Sequence, residues 1–175
     1  MLFNMDKMPR PFVMGFLNPR SITARSFANP KIIGEPAGYN DPAVQRLELP
    51  ASNGIGRVRD MARAYGEFAT GGAALGLTPA TLDALKRPAS PPRDGLVDVV
   101  LGVETIFSLG YAKPFPDFRF GLNEEAFGTP GAGGSFCFAD PAAQLGFAYA
   151  MNKTGFYLWD DPREKSLRDA VYRCL

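Results

Sequence analysis

The stretch GTPGAGGSFCFADP, Gly128 to Pro141, decides how the rest of the chain is read. Four of its first seven residues are glycine, and it then turns apolar. Three jobs call for a backbone that bare ahead of a strand: a phosphate loop, a packing turn, or a wall against which a substrate lies. Gly128 to Ser135 fits the spacing G-x-x-x-x-G-x-S, but Gly134 stands where a phosphate loop needs lysine. A phosphate loop also opens a helix whose N-terminus faces the anion. Here Phe136, Cys137 and Phe138 follow, and they read as strand. A dinucleotide fingerprint fails on context and for want of a third correctly spaced glycine. Taken alone, the residues favour the packing turn, because glycine before a strand marks a bulge or a close backbone approach.

Working outward, GSFCFAD and QLGFAYAMN read as two strands joined through PAA after Asp140, which suits a hairpin. Upstream, LVDVVLGVETIFSLGYAK is β-branched and aromatic and reads as a further strand. Strands are expected near 103–111, 133–139 and 144–151, in one antiparallel sheet. DDPREKSLRDAVYRCL reads as a terminal helix, capped by Asp160 or Asp161, with Pro162 in its first turn. Its apolar face is expected at Leu167, Ala170, Val171 and Cys174, packed on one face of the sheet.

The clearest helix lies in SNGIGRVRDMARAYGEFATGG. Val58, Met61, Ala62, Tyr65, Phe68 and Ala69 recur at helical spacing, Ser52 or Asn53 offers a cap, and Gly71-Gly72 ends it. A second helix starts at Thr78-Pro79 and runs to about Arg87. Residues 1–55 carry seven prolines and no sustained period, so they are expected to be irregular. The expectation is therefore one α+β unit over 1–175: irregular at 1–55, helical at 56–92, and strands with a terminal helix at 95–175. The helical region is expected to be only part of a larger one.

Composition excludes several functions. The 175 residues are 46% apolar and 21% charged, ordinary for a globular domain. A net charge of +1 gives no electrostatic footprint for nucleic acid or an anionic membrane. Histidine is absent, which removes the commonest general base and metal ligand. The only cysteines, Cys137 and Cys174, make no zinc site without histidine, so no metal and no cofactor is expected. Two free thiols suit a reducing compartment, hence a cytoplasmic location. MLFNMDKMPRPFVMGFLNPR is broken by Asp6, Lys7, Pro9, Arg10 and Pro11, unlike a signal peptide or a membrane span.

FGTPGAGGSFCFADPAAQLGFAYAMN resembles the third-motif region of the serine β-lactamase-like hydrolases, which include class C β-lactamases, penicillin-binding proteins and β-lactamase-fold esterases. Members of the esterase branch read F-G-H-x-G-x-G-G-S before an apolar strand and an aspartate-containing turn. The likeness extends to NPRSITARSFANP, ASNGIGRVRDMARAYGEFA and DDPREKSLRDAVYRCL, and it matches the C-terminal part of such an enzyme. The resemblance implies the β-lactamase/transpeptidase-like fold and acyl transfer from an ester or lactam. It places the third motif on an edge strand whose backbone N–H helps form an oxyanion hole. Thr129, Pro130 and Gly131 then occupy the Lys/His-x-Gly positions, Ala132 offers the oxyanion N–H, and Gly133, Gly134 and Ser135 continue the wall.

The sequence departs from that pattern twice. Thr129 replaces the usual lysine, histidine or tryptophan. No serine has lysine three residues on, no tyrosine has Asn or Ser two residues on, and there is no G-x-S-x-G. No catalytic nucleophile is therefore assigned, and a small ester or lactam is a substrate only if an N-terminal part completes the site. The other reading is a non-catalytic remnant or a fragment that binds a ligand or partner. Lys153-Thr154-Gly155 spells K-T-G, but its place after the third strand suggests a turn far from Gly131. Arg20 and Arg25 read as solvated, and Trp159 as a core anchor.

Overall fold

The computed structural model describes residues 7–29 and 36–175. Five strands form one antiparallel sheet in chain order: β1 Phe107–Ser108, β2 Tyr111–Ala112, β3 Phe127–Gly131, β4 Ser135–Asp140 and β5 Leu145–Tyr149. The α+β class and the single sheet stand as expected. The β4–β5 hairpin forms where the sequence places it, pairing Phe138 with Phe147 and Asp140 with Leu145. Asp140 turns the corner by accepting the N–H groups of Ala142 and Ala143 at 3.0 and 3.2 Å.

The strand expected near 103–111 is instead a tight hairpin. Leu109 and Gly110 both take positive φ, 37° and 90°, and reverse the chain between β1 and β2. Such two-residue turns match the twist of the strands they join. Upstream, Asp98 Oδ1 accepts from Val100 and Leu101 N–H, both at 2.8 Å, and holds a β-branched run in a turn. Local side-chain capping overrides strand propensity there.

Helices cover both faces. On one face, α4 (Val58–Ala69) and α5 (Pro79–Lys86) pack Tyr65, Ala69, Leu82 and Leu85 against Phe127, Cys137 and Ala139. On the other, Phe136 and Phe138 meet Phe115, Phe118, Phe120 and Ala126, with Trp159 and Tyr172 packed alongside. Trp159 is the expected anchor, edge-on to Phe115 with ring centroids 5.3 Å apart. Because both faces are covered, β4 is buried from Phe136 through Asp140 and shows no alternation with solvent.

α4 and β5 approach backbone to backbone. A Cβ on Gly146 would strike Gly66 N and Ala62 O of α4. The helix starts later than the sequence suggests: Arg57 occupies the cap position without a side-chain bond. Asn53 instead donates to Val44 O and Leu47 O at 3.0 and 2.7 Å. Val58 and Met61, expected on the apolar face, are exposed. α5 begins as read, with Thr78 Oγ1 accepting from Thr81 N–H at 3.2 Å.

Residues 1–55 are less irregular than expected. Three short helices form among those described: α1 Arg10–Leu17, α2 Ile22–Phe27 and α3 Pro42–Gln45. Their prolines start helices rather than break them, since a first-turn proline sacrifices no intrahelical bond. Pro11 and Pro42 sit in such first turns, while Ser21 caps α2 by accepting from Ala24 N–H at 2.9 Å. Elements of eight residues or fewer are too short to show a period.

The terminal helix, α6 (Pro162–Tyr172), is capped by Asp161 and lies on the sheet face as foreseen, but turned about its axis. Leu167 and Cys174 are exposed, and Glu164 and Arg168 are buried instead. Arg168 lies over the rings of Phe118 and Phe136 at 5.5 and 5.6 Å. It pairs with Glu164 at 2.8 Å and with Asp160, and donates to Arg119 O at 2.8 Å. The aromatic floor selects a guanidinium over an aliphatic stripe.

Candidate functional site

The six residues singled out from the glycine stretch come together on one hairpin. Thr129 and Gly131 lie on β3, Ala132, Gly133 and Gly134 form the turn, and Ser135 opens β4 opposite Gly131. Gly134 N–H donates to Gly131 O at 3.2 Å and closes the turn. Gly133 and Gly134 take φ of 91° and 107°, a backbone that side chains strain. A strand, not a helix, follows Ser135, so no helix N-terminus faces this loop.

β3 lies inside the strand order rather than at its edge, yet its working half is open. β2 pairs with β3 only at Ala112 and Gly128. Thr129, Pro130 and Gly131 bond to β4 on one side, and no strand among the described residues flanks the other. Thr129 and Ala132 are exposed. An exposed strand edge leaves backbone polar groups for another chain or a ligand to engage.

Above that edge stands Tyr65 of α4, whose hydroxyl donates to Thr129 Oγ1 at 3.3 Å. Burial pushes the Tyr65 phenol up to about 12, so it remains a neutral donor. The neighbouring Tyr111 and Cys137 push it the same way as burial, and its hydrogen bond to Thr129 pulls against them. Two neutral hydroxyls, those of Tyr65 and Thr129, thus meet beside the open edge. The sequence reading did not single out Tyr65 beyond its helical period, because its meeting with Thr129 spans 64 residues.

Two further segments brace the turn. Lys153-Thr154-Gly155 was expected far from Gly131 but lies against the turn. β5 runs antiparallel to β4, so its end returns to the start of β4. Gly155 N–H donates to Gly133 O at 2.7 Å, and a Cβ on Gly133 would meet Thr154 Cγ2 at 2.5 Å. Asp161, buried at the start of α6, lies against Gly134, where a Cβ would meet its Cγ at 2.9 Å. Arg163 joins these pieces. Hydrogen bonds from Arg163 hold the Asp161 carboxyl well below the usual carboxylate range.

A mixed helical and antiparallel-sheet domain with a glycine hairpin at an open strand defines the β-lactamase/transpeptidase class of fold. The Beta-lactamase family model matches residues 15–170, and the chain belongs to that family. It is 34% identical over 107 residues to the esterase/beta-lactamase LipL of Mycobacterium tuberculosis (strain ATCC 25618 / H37Rv), covering 61% of this chain and 24% of LipL. A family VIII carboxylesterase matches with a TM-score of 0.69 and 37% identity, over 78% of this chain and 36% of its own. A penicillin-binding protein homolog from Caulobacter crescentus matches at 0.67 and 36%, over 81% and 36%. EstA from Arthrobacter nitroguajacolicus Rue61a matches at 0.67 and 28%, over 89% and 41%. The matched region is therefore between about a quarter and two-fifths of each relative's length.

No helix among the described residues is long and apolar enough to cross a membrane. Cys137 is buried and Cys174 exposed, and both are free.

Proposed function

We propose that this chain supplies the third-motif wall of a serine hydrolase that transfers an acyl group from an ester or β-lactam to water. The observation that carries the reading is the half-open strand β3. Thr129–Gly131 is paired on one side only and leads straight into the exposed Ala132. A substrate carbonyl lying along that edge would place its oxygen where the Ala132 N–H becomes one oxyanion donor. Small residues at 131–134 let the main chain approach the substrate. The sequence carries no S-x-x-K and no Y-x-N, so the nucleophile and its base come from a partner segment corresponding to the rest of the relatives' length. The named activities of LipL and of the carboxylesterase support the ester as first choice.

A second reading, a non-catalytic remnant that binds a ligand or partner, is favoured by Thr129 standing where the resembled family usually has lysine, histidine or tryptophan. Co-expression of this chain with the remaining N-terminal part of a family VIII carboxylesterase discriminates the two. Hydrolysis of a short-chain p-nitrophenyl ester by the pair, blocked by a serine-directed phosphonate, supports the hydrolase. A folded pair without turnover favours the remnant.

A further inference from the structure

We propose that Asp161 and Arg163 form a clamp whose task is to hold the glycine turn, and with it the Ala132 N–H, in one geometry. The catalytic half of this inference rests on the hydrolase reading above; the clamp itself does not. Arg163 spends its donors on three separate segments. Its Nε and Nη2 engage Asp161 Oδ1 and Oδ2 at 2.9 and 2.7 Å, a planar bidentate pair. The same Nη2 reaches Gly133 O at 3.3 Å, and Nη1 reaches Lys153 O at 2.6 Å. The 153–155 turn closes the circuit through the Gly155 N–H bond to Gly133 O.

The three glycines of this circuit are sites of contact as well as of conformation. A Cβ on Gly134 would meet Asp161, one on Gly133 would meet Thr154 and Met151, and one on Gly155 would meet Arg163 and Asp161. The turn is therefore seated on the clamp with no room between them. Asp161 is 2% exposed while the Arg163 side chain is 40% exposed. The carboxylate is the fixed post and the guanidinium the bar laid across it. The same Asp161 Oδ1 accepts from Arg163 N–H at 3.0 Å and so caps α6, which ties the turn to the start of that helix. Arg163 touches no reacting atom in this arrangement and acts through Gly133; it is a positioning residue. Lysine is no substitute, because it lacks the planar fork that reaches Asp161, Gly133 and Lys153 at once.

The test is amide hydrogen exchange in the full chain, read at Gly155, whose N–H bonds Gly133 O, and at Gly134, whose N–H closes the turn on Gly131 O. Arg163→Ala is expected to speed exchange at both amides by about tenfold or more, as loss of charge-assisted bonds predicts. Exchange along β4 at Cys137 and Phe138 should stay unchanged. Arg163→Lys should remain as fast as Arg163→Ala. Unchanged exchange at Gly155, full recovery in Arg163→Lys, or equal acceleration along β4 would overturn the clamp. In the complemented pair, Arg163→Ala is expected to lower kcat with KM held, and an unaltered kcat removes the catalytic role. Should the wild-type pair show no hydrolysis, the oxyanion role falls with the hydrolase reading, while the exchange result still decides the clamp.

Discussion

The Tyr65 hydroxyl donates to Thr129 Oγ1 at 3.3 Å and ties α4 to the strand that leads into the glycine turn. Tyr65 also packs edge-on against Phe68 and Tyr111, at 5.6 and 6.0 Å between ring centroids. Its ring and its hydroxyl therefore do different work. Tyr65→Phe is expected to cost about 1 kcal/mol, the net worth of one neutral hydrogen bond. Tyr65→Ala is expected to cost about 3–5 kcal/mol, as for large-to-small core changes. Urea denaturation of the two variants measures the split, and equal losses would contradict it.

Glu164 gives the stability a pH dependence. Burial pushes its carboxyl up to about 7, against the pull of Arg168, while Asp160 pushes the same way as burial and Lys165 opposes it. A carboxyl whose folded value lies above its unfolded one contributes stability that is complete below about pH 4.5 and is lost as pH rises through 7. Between pH 4.5 and 7 this chain should lose on the order of 3 kcal/mol from this group. Glu164→Gln should flatten that slope in melts taken across the interval. A slope that survives the substitution would show that another group sets it.

Lys113 acts in a higher range. Its side chain is buried, with Nζ donating to Lys86 O and Glu125 O at 2.7 and 2.9 Å. Burial lowers its value to about 8, against an unfolded 10.5. Between these values the unfolded chain holds a proton that the folded chain has released, so stability should rise as pH increases from 8 towards 10. The raised Cys137 thiol works in the opposite direction from about pH 9, and the raised phenols of Tyr65 and Tyr172 from about pH 10. Lys113→Met should abolish the rise, and melts at pH 8 and 10 decide it.

Much of this architecture is local and therefore legible. Caps and turns announced α5 at Thr78, α6 at Asp161 and the β4–β5 hairpin at Asp140, because each signal lies within three residues of its effect. The two-residue β1–β2 turn was missed because leucine at Leu109 is no ordinary positive-φ residue. The charged stripe of α6 was missed because periodicity counts apolar side chains, whereas Arg168 is buried by aromatic rings that lie 32 and 50 residues earlier. That the six residues singled out around the glycine stretch share one hairpin was legible, because they fall within the short span Thr129–Ser135. Tyr65 and Arg163 were not, since each reaches the hairpin only through the fold.

The exposed apolar side chains of the first two helices bear on behaviour in solution. Met14, Leu17, Ile22 and Phe27 are between 51% and 68% exposed on α1 and α2. Patches of that kind recruit partners or dyes. The isolated chain is expected to bind an apolar dye and to self-associate, and the paired substitution Leu17→Ser with Ile22→Ser should reduce both. Dye binding unaltered in that variant would place the sticky surface elsewhere.

The two faces of β4 and β5 differ in bulk. Cys137, Ala139, Gly146 and Ala148 share the α4 face, and Phe136, Phe138, Phe147 and Tyr149 the face towards α6. In half-solvated sheets, polarity tells a strand which way to face. Here β4 is buried on both sides and β5 is partly buried along its whole length, and size takes over that instruction. A slip of one residue would turn the buried Asp140 away from Leu122 N–H and the Tyr172 hydroxyl, and it would drive phenyl rings into a gap that admits no methyl group at Gly146. The pairing is thus proofread by volume, and a single alanine at Gly146 should loosen the register of the whole hairpin as much as it displaces the helix above it.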